Sequence, residues 1–154
     1  MIEIPNHKDI DIKHIVCDYN GTIAKDGMVL PQIKALFDQL REQYQLYVIT
    51  ADTFGSVHQQ LEGYGAEIIC LTSDNHTQEK ADFITSLGAK ESVALGNGNN
   101  DTMMLQSASI GIAILGDEGC SKEALLGADI LCKEIYEALE LFIKPKRLIA
   151  TLRK

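Results

Sequence analysis

IDIKHIVCDYNGT, residues 10–22, carries an apolar run that stops at an aspartate and passes into asparagine and glycine. Ile10 to Cys17 reads as a β-strand, and DYNGT supplies the polar turn that ends it. ESVALGNGNND, residues 91–101, repeats the arrangement: an apolar strand opens into a loop of glycine, asparagine and aspartate. YQLYVIT, residues 44–50, has the continuous apolar character of a strand buried on both sides and stops at Thr50. In an open parallel sheet the C-terminal ends of the strands share one edge, so polar residues far apart in sequence can converge there.

The rest of the chain fits the same scheme. Residues 22–30, with Gly27, read as a short hairpin flap, and Pro31 opens a helix through Gln43 whose apolar face is Ile33, Leu36, Phe37 and Leu40. Thr53 is a candidate cap for a helix to Glu62, which Gly63 and Gly65 help to end. AEIICL (66–71), SIGIAIL (109–115) and ADILC (128–132) read as further strands. HTQEKADFITSLG (76–88), with Phe83, Ile84 and Leu87 inward, and KEALLG (122–127) read as helices, and a last helical region starts at Glu134. Alternating strands and helices predict an α/β fold, a Rossmann-like three-layer sandwich with a mostly parallel central sheet. The 154 residues suit one domain, 1–154, and are too few for eight strand–helix pairs.

A net charge of -8 gives no positive field to gather nucleic acid, so none is expected as a partner. The basic end, with Lys144, Lys146, Arg147, Arg153 and Lys154 around Leu148, Ile149 and Leu152, reads as the solvated face of an amphipathic helix. There is no apolar run of membrane-spanning length, and MIEIPNHKDIDIK lacks the basic and apolar parts of a secretory signal, so a cytoplasmic, non-membrane protein is expected. Cys17, Cys70 and Cys132 lie in apolar stretches and Cys120 beside a glycine, without the close pairs of a zinc site. His7, His14, His58 and His76 form no metal-binding pair.

The polar strand ends hold Asp18 and Asn20, then Thr50, then Asn97 and Asp101, with Lys80 near the start of a helix. Carboxylate and carbonyl oxygens suit Mg²⁺, a small hard ion that keeps waters and contacts substrate phosphate. A lysine near two aspartates steadies both a carboxylate and a transferring phosphoryl group, and a threonine hydroxyl with backbone N–H groups holds phosphate oxygens. Each residue also has a plainer role open to it: Asp18 or Thr50 as a cap, Lys80 as a surface lysine, Asn99 and Asn100 as turn formers. One of Met103 and Met104 is expected to fill core space.

DYNGT at 18–22, Thr50 ending VIT, Lys80, and GNGNND at 96–101 resemble, in order, the four motifs of the haloacid dehalogenase (HAD) superfamily. LGNGNNDTMMLQSASIGIAI, residues 95–114, resembles in particular the phosphorylation domain of P-type ATPases and the soluble proteins related to it. The resemblance implies a phosphatase or other phosphoryl-transfer hydrolase, with Asp18 as the nucleophile that becomes an aspartyl phosphate. It implies Mg²⁺ held by Asp18, the backbone carbonyl of Asn20, and Asn97 or Asp101. By the same resemblance Thr50 binds phosphate, Lys80 steadies it and the nucleophile, and position 20 carries the acid–base role.

The chain departs from the family at two of these places. Phosphatases of the family usually have aspartate at position 20, and asparagine cannot exchange the proton; P-type ATPases share that lack. Asn97 stands where GDG is usual and removes one negative charge. A catalytically weak or inactive regulatory or binding module is therefore the alternative reading. Cleavage of P–C or C–halogen bonds is disfavoured, because Lys80 is better explained at a phosphate site. The intervals 22–50 and 50–80 leave no room for a cap domain. An open site implies a phosphorylated macromolecule as substrate, or a phosphorylated small molecule in a site completed by a neighbouring copy in a homo-oligomer, a tetramer or a dimer.

Overall fold

The computed structural model describes residues 1–51 and 55–154; Thr53, the expected helix cap, lies outside the described residues. Its main sheet consists of β1 (His14–Asp18), β4 (Gln45–Thr50), β5 (Ala66–Cys70), β6 (Ser92–Gly96), β7 (Ile110–Ile114) and β8 (Ile130–Cys132). The spatial order is β5-β4-β1-β6-β7-β8, with every neighbouring pair parallel. The order runs outward in both directions from β1, so the chain switches direction between β1 and β6, where doubly wound sheets leave a crevice.

Alternation along the strands sorts the core into two layers. Ile15 and Cys17 of β1 face a cluster that includes Ile33, Phe37 and Leu40 of α1 (Ile33–Leu40), Val57 of α2 (Ser56–Gln60), Ile135 and Leu139 of α6 (Ile135–Glu140), and Leu148 of α7 (Pro145–Leu152). Val16 faces the other way, into a cluster with Ile84 of α3 (His76–Leu87), Met104 and Leu105 of α4 (Thr102–Ser107), and Ala124 of α5 (Lys122–Gly127). Helices therefore cover both faces of the sheet, as the sequence predicts, and no separate cap domain is present among the described residues. All four cysteines are free. No helix among the described residues is long and apolar enough to cross a membrane.

Three expected boundaries shift for local reasons. The first strand begins at His14 rather than Ile10, because Ile10 pairs instead with Ile2 in an isolated antiparallel bridge. Pro31 precedes α1 rather than opening it, since Gln32 adopts a left-handed conformation (φ 72°) that helix geometry does not allow. The helix also ends at Leu40, three residues short of Gln43. The flap is present as β2 (Ala24–Lys25) and β3 (Met28–Val29), antiparallel. Its turn has positive φ at both Asp26 and Gly27, which matches the right-handed twist of the strands.

Candidate active site

β1 delivers Asp18 to the sheet edge, and the chain then folds tightly over it. The Tyr19 carbonyl accepts hydrogen bonds from the N–H groups of Thr22 (3.2 Å), Ile23 (3.1 Å) and Ala24 (3.1 Å). This turn leaves Asp18 and Thr22 buried and Asn20 exposed. Asn20 lines an open hollow of about 310 Å³ with Tyr19, Gly27, Ala51, Ser56 and Val57. The flap above it is secured from both sides: Tyr19 Oη donates to the Gly27 carbonyl (2.7 Å), Lys25 pairs with Asp117 (3.0 Å), and Val29 N donates to Gln60 Oε1 (3.1 Å).

Lys80 enters from α3. The turn before that helix is pinned by the Glu79 carboxylate, which accepts from the N–H groups of Thr72 and Ser73, and Asn75 caps the helix by accepting from Gln78 N. Lys80 is thereby carried inward, 2 % exposed. Its Nζ donates to Asp18 Oδ1 (2.9 Å), Asp101 Oδ1 (2.7 Å) and Asn100 Oδ1 (3.2 Å). Three oxygens satisfy the three protons of an ammonium. Burial opposes the charge on Lys80, yet the two carboxylates outweigh burial and hold the ammonium above the ordinary lysine range.

Asp101 is fully buried, and its second oxygen, Oδ2, accepts from the N–H groups of Asn97 (3.0 Å) and Gly98 (3.0 Å). Both of its oxygens are thus engaged, one by Lys80 and one by the loop. Asp18 differs, because its Oδ2 accepts from the Thr22 hydroxyl (3.3 Å). The same hydroxyl lies 3.3 Å from Asn97 Oδ1. Burial first, and the Asp101 carboxylate second, push the Asp18 carboxyl up from 3.8 to about 7, against the lowering effect of Lys80.

The structure therefore joins Asp18, Lys80, Asn97 and Asp101 into one network. Thr50 is buried at the end of β4, the strand paired with β1, whereas Asn20 is exposed two residues beyond Asp18. Sequence reasoning missed Thr22, which it treated only as the end of a motif, and it assigned Asn100 to turn formation although its side chain reaches Lys80. A hydroxyl in a tight loop two residues beyond Asn20 was the available signal for Thr22.

Two carboxylates and one lysine leave a single negative charge in a buried place, with Asp18 Oδ2 and Asn97 Oδ1 as neighbouring oxygens. That donor set fits a hard divalent cation with a shell of water. Among the described residues no three His, Cys, Asp or Glu side chains cluster to hold a metal, so such a cation would rely on amide and carbonyl oxygens beside Asp18.

No protein-family model matches the chain. It is 45% identical over 64 residues to the uncharacterized protein MJ0073 of Methanocaldococcus jannaschii, which covers 42% of this chain and 69% of that protein. A protein of the same organism described as a soluble P-type ATPase-like phosphatase is 24% identical over 123 residues, or 78% of this chain; the chain spans only 45% of that longer relative. Among solved structures, the 3-deoxy-D-manno-octulosonate 8-phosphate phosphatase of Moraxella catarrhalis, in complex with magnesium, phosphate and a KDO molecule, superposes with a TM-score of 0.72. The overlap covers 92% of this chain and 94% of that one at 18% identity, a likeness of fold.

Proposed function

Because this chain has the haloacid dehalogenase fold and belongs to the family of the archaeal protein MJ0073, we propose that it is a Mg²⁺-dependent phosphatase acting through an aspartyl phosphate at Asp18. The observation that carries this reading is the buried Lys80 ammonium, 2.9 Å from one aspartate and 2.7 Å from another at the switch point of the sheet. We assign the substrate to phosphorylated small molecules, the class named for the octulosonate phosphatase, and we take residues 1–154 as one functional unit.

Asp18 is held for attack on phosphorus. Lys80 fixes Oδ1 and lowers the repulsion between the carboxylate and an approaching phosphate dianion. Thr50 and the loop amides offer the donors for phosphoryl oxygens, and Asn20 faces the leaving group at the mouth. Mg²⁺, when bound, neutralises developing charge on the phosphoryl group. Asp18 Oδ2, Asn97 Oδ1 and the Asn20 carbonyl would hold it, while Asp101 anchors Lys80 and the 97–98 backbone. Asn20 has no acidic proton to transfer, so the departing alkoxide takes one from solvent and the acyl phosphate waits for unassisted water.

Hydrolysis of an aryl phosphate with and without Mg²⁺, for the native chain and Asp18→Asn, tests the proposal. Phosphate release that needs Mg²⁺ and is lost in D18N is the expected outcome, with an acid-stable phosphoenzyme in the native chain only. An unlabelled native chain would favour a binding or regulatory module, the reading that Asn20 supports.

A further inference from the structure

Asn97 is held as an amide from both ends. Its Nδ2 donates to the Gly119 carbonyl (3.2 Å), and its Oδ1 lies 3.3 Å from the Thr22 hydroxyl. A carbonyl can only accept, so the atom facing Gly119 must carry hydrogen, and the oxygen is forced to the Asp18 side. The surrounding chain is built to that shape. The Asn97 carbonyl accepts from Ser121 N (2.8 Å), which ties the 116–121 loop to the end of β6. A Cβ at Gly21 would overlap the Asn97 amide, so the catalytic turn approaches the side chain as closely as glycine allows. An ionised aspartate at 97 would set a carboxylate oxygen against the Gly119 carbonyl, with no hydrogen between them.

We propose that Asn97 is a dedicated amide-oxygen ligand for the cation beside Asp18, selected over aspartate by the Gly119 carbonyl and aimed by Thr22 as its positioning residue. The inference rests on the metal-dependent reading above and deepens it. The position usually occupied by a second carboxylate is not a damaged aspartate but a different ligand type, with its own supporting contacts. Thr22 has one hydroxyl proton to share between Asp18 Oδ2 and Asn97 Oδ1, each 3.3 Å from its oxygen, so it ties both to one hydroxyl without a further charge.

The test measures Mg²⁺ binding by titration calorimetry and urea unfolding without metal, for the native chain and for Asn97→Asp, Thr22→Val and Thr22→Ser. Asn97→Asp is expected to bind Mg²⁺ no more tightly than the native chain and to unfold at lower urea. Thr22→Val is expected to weaken Mg²⁺ binding by about 10-fold, within the range for removing a partner of a metal ligand, and Thr22→Ser to restore it. Tighter Mg²⁺ binding by N97D with unchanged unfolding would overturn selection of the amide. Equal Mg²⁺ binding by native and T22V, or no Mg²⁺ binding by any variant, would overturn the positioning role. None of these readouts uses turnover, so a chain that binds Mg²⁺ in this pattern yet releases no phosphate would sink the phosphatase reading alone.

Discussion

In the aspartyl-phosphate reading proposed above, the side chain at position 20 decides the fate of the phosphoenzyme. An amide can orient a leaving oxygen but cannot protonate it, and cannot take a proton from attacking water. Asn20→Asp is therefore expected to raise aryl phosphate hydrolysis by about 10²–10⁴-fold, and to shrink the phosphoenzyme caught by acid quenching; an unchanged rate would mean that position 20 does not face the leaving group. Asp18 yields a second prediction. With its carboxyl raised from 3.8 to about 7, the folded chain keeps a proton that the unfolded chain has released across that window. Folding then takes up a proton, so this group's contribution to stability is greatest below the lower value and is lost as pH rises to the upper one. Metal-free native protein is expected to unfold at lower urea at about pH 8 than at about pH 5, with that share of the difference missing from Asp18→Asn; an identical pH response in the two proteins would contradict it. The aspartates and Asn97 were legible as candidates because strand ends followed by glycine and asparagine announce them. Thr22, Asn100 and the Gly119 carbonyl were not, because their roles arise from contacts that span 75, 20 and 22 residues.

At the scale of elements, α4 links the site to the core. It begins directly after Asp101, the residue that anchors Lys80, and turns Met104 and Leu105 fully inward while Met103 stays 36% exposed. Loss of a fully buried methionine side chain leaves a cavity, so Met104→Ala is expected to cost about 2–5 kcal/mol of stability. Met103→Ala is expected to change it by about 0.5 kcal/mol or less, as surface substitutions do. Equal urea midpoints for the two variants would mean that α4 is seated differently. Periodicity and strand-end chemistry made the alternating elements readable, including the flap, whose Asp26–Gly27 turn is plain in the residues. The boundaries were less readable for a physical reason. Ile10 and Ile12 are apolar and buried like strand residues, yet Ile10 is satisfied by Ile2, a pairing that no local pattern reveals. Pro31 is a good first helical residue in isolation, and only the left-handed Gln32 moves the helix beyond it.

Across the whole molecule, the buried site and the surface carry opposing instructions for an anionic substrate. Lys80 attracts phosphate only at contact range, because it is enclosed by two carboxylates. The approach lies across a chain with 22 acidic against 14 basic residues, and Asp26, Asp117 and Glu118 are exposed at the flap and its neighbouring loop. Such a field repels a small dianion and draws in a cationic partner. Salt shortens the reach of surface charge to about 8 Å at physiological ionic strength, while the buried contacts are screened far less. At saturating Mg²⁺, kcat/KM for a small phosphate monoester is therefore expected to rise as sodium chloride is raised from about 10 mM to about 150 mM. A phosphopeptide rich in lysine is expected to do the reverse. A fall with salt for the small ester would show that a local positive path outweighs the net charge. A steep fall for the peptide, joined to a much larger kcat/KM, would move the substrate class from small molecules to phosphorylated proteins, since the described residues form no cap domain that would exclude them.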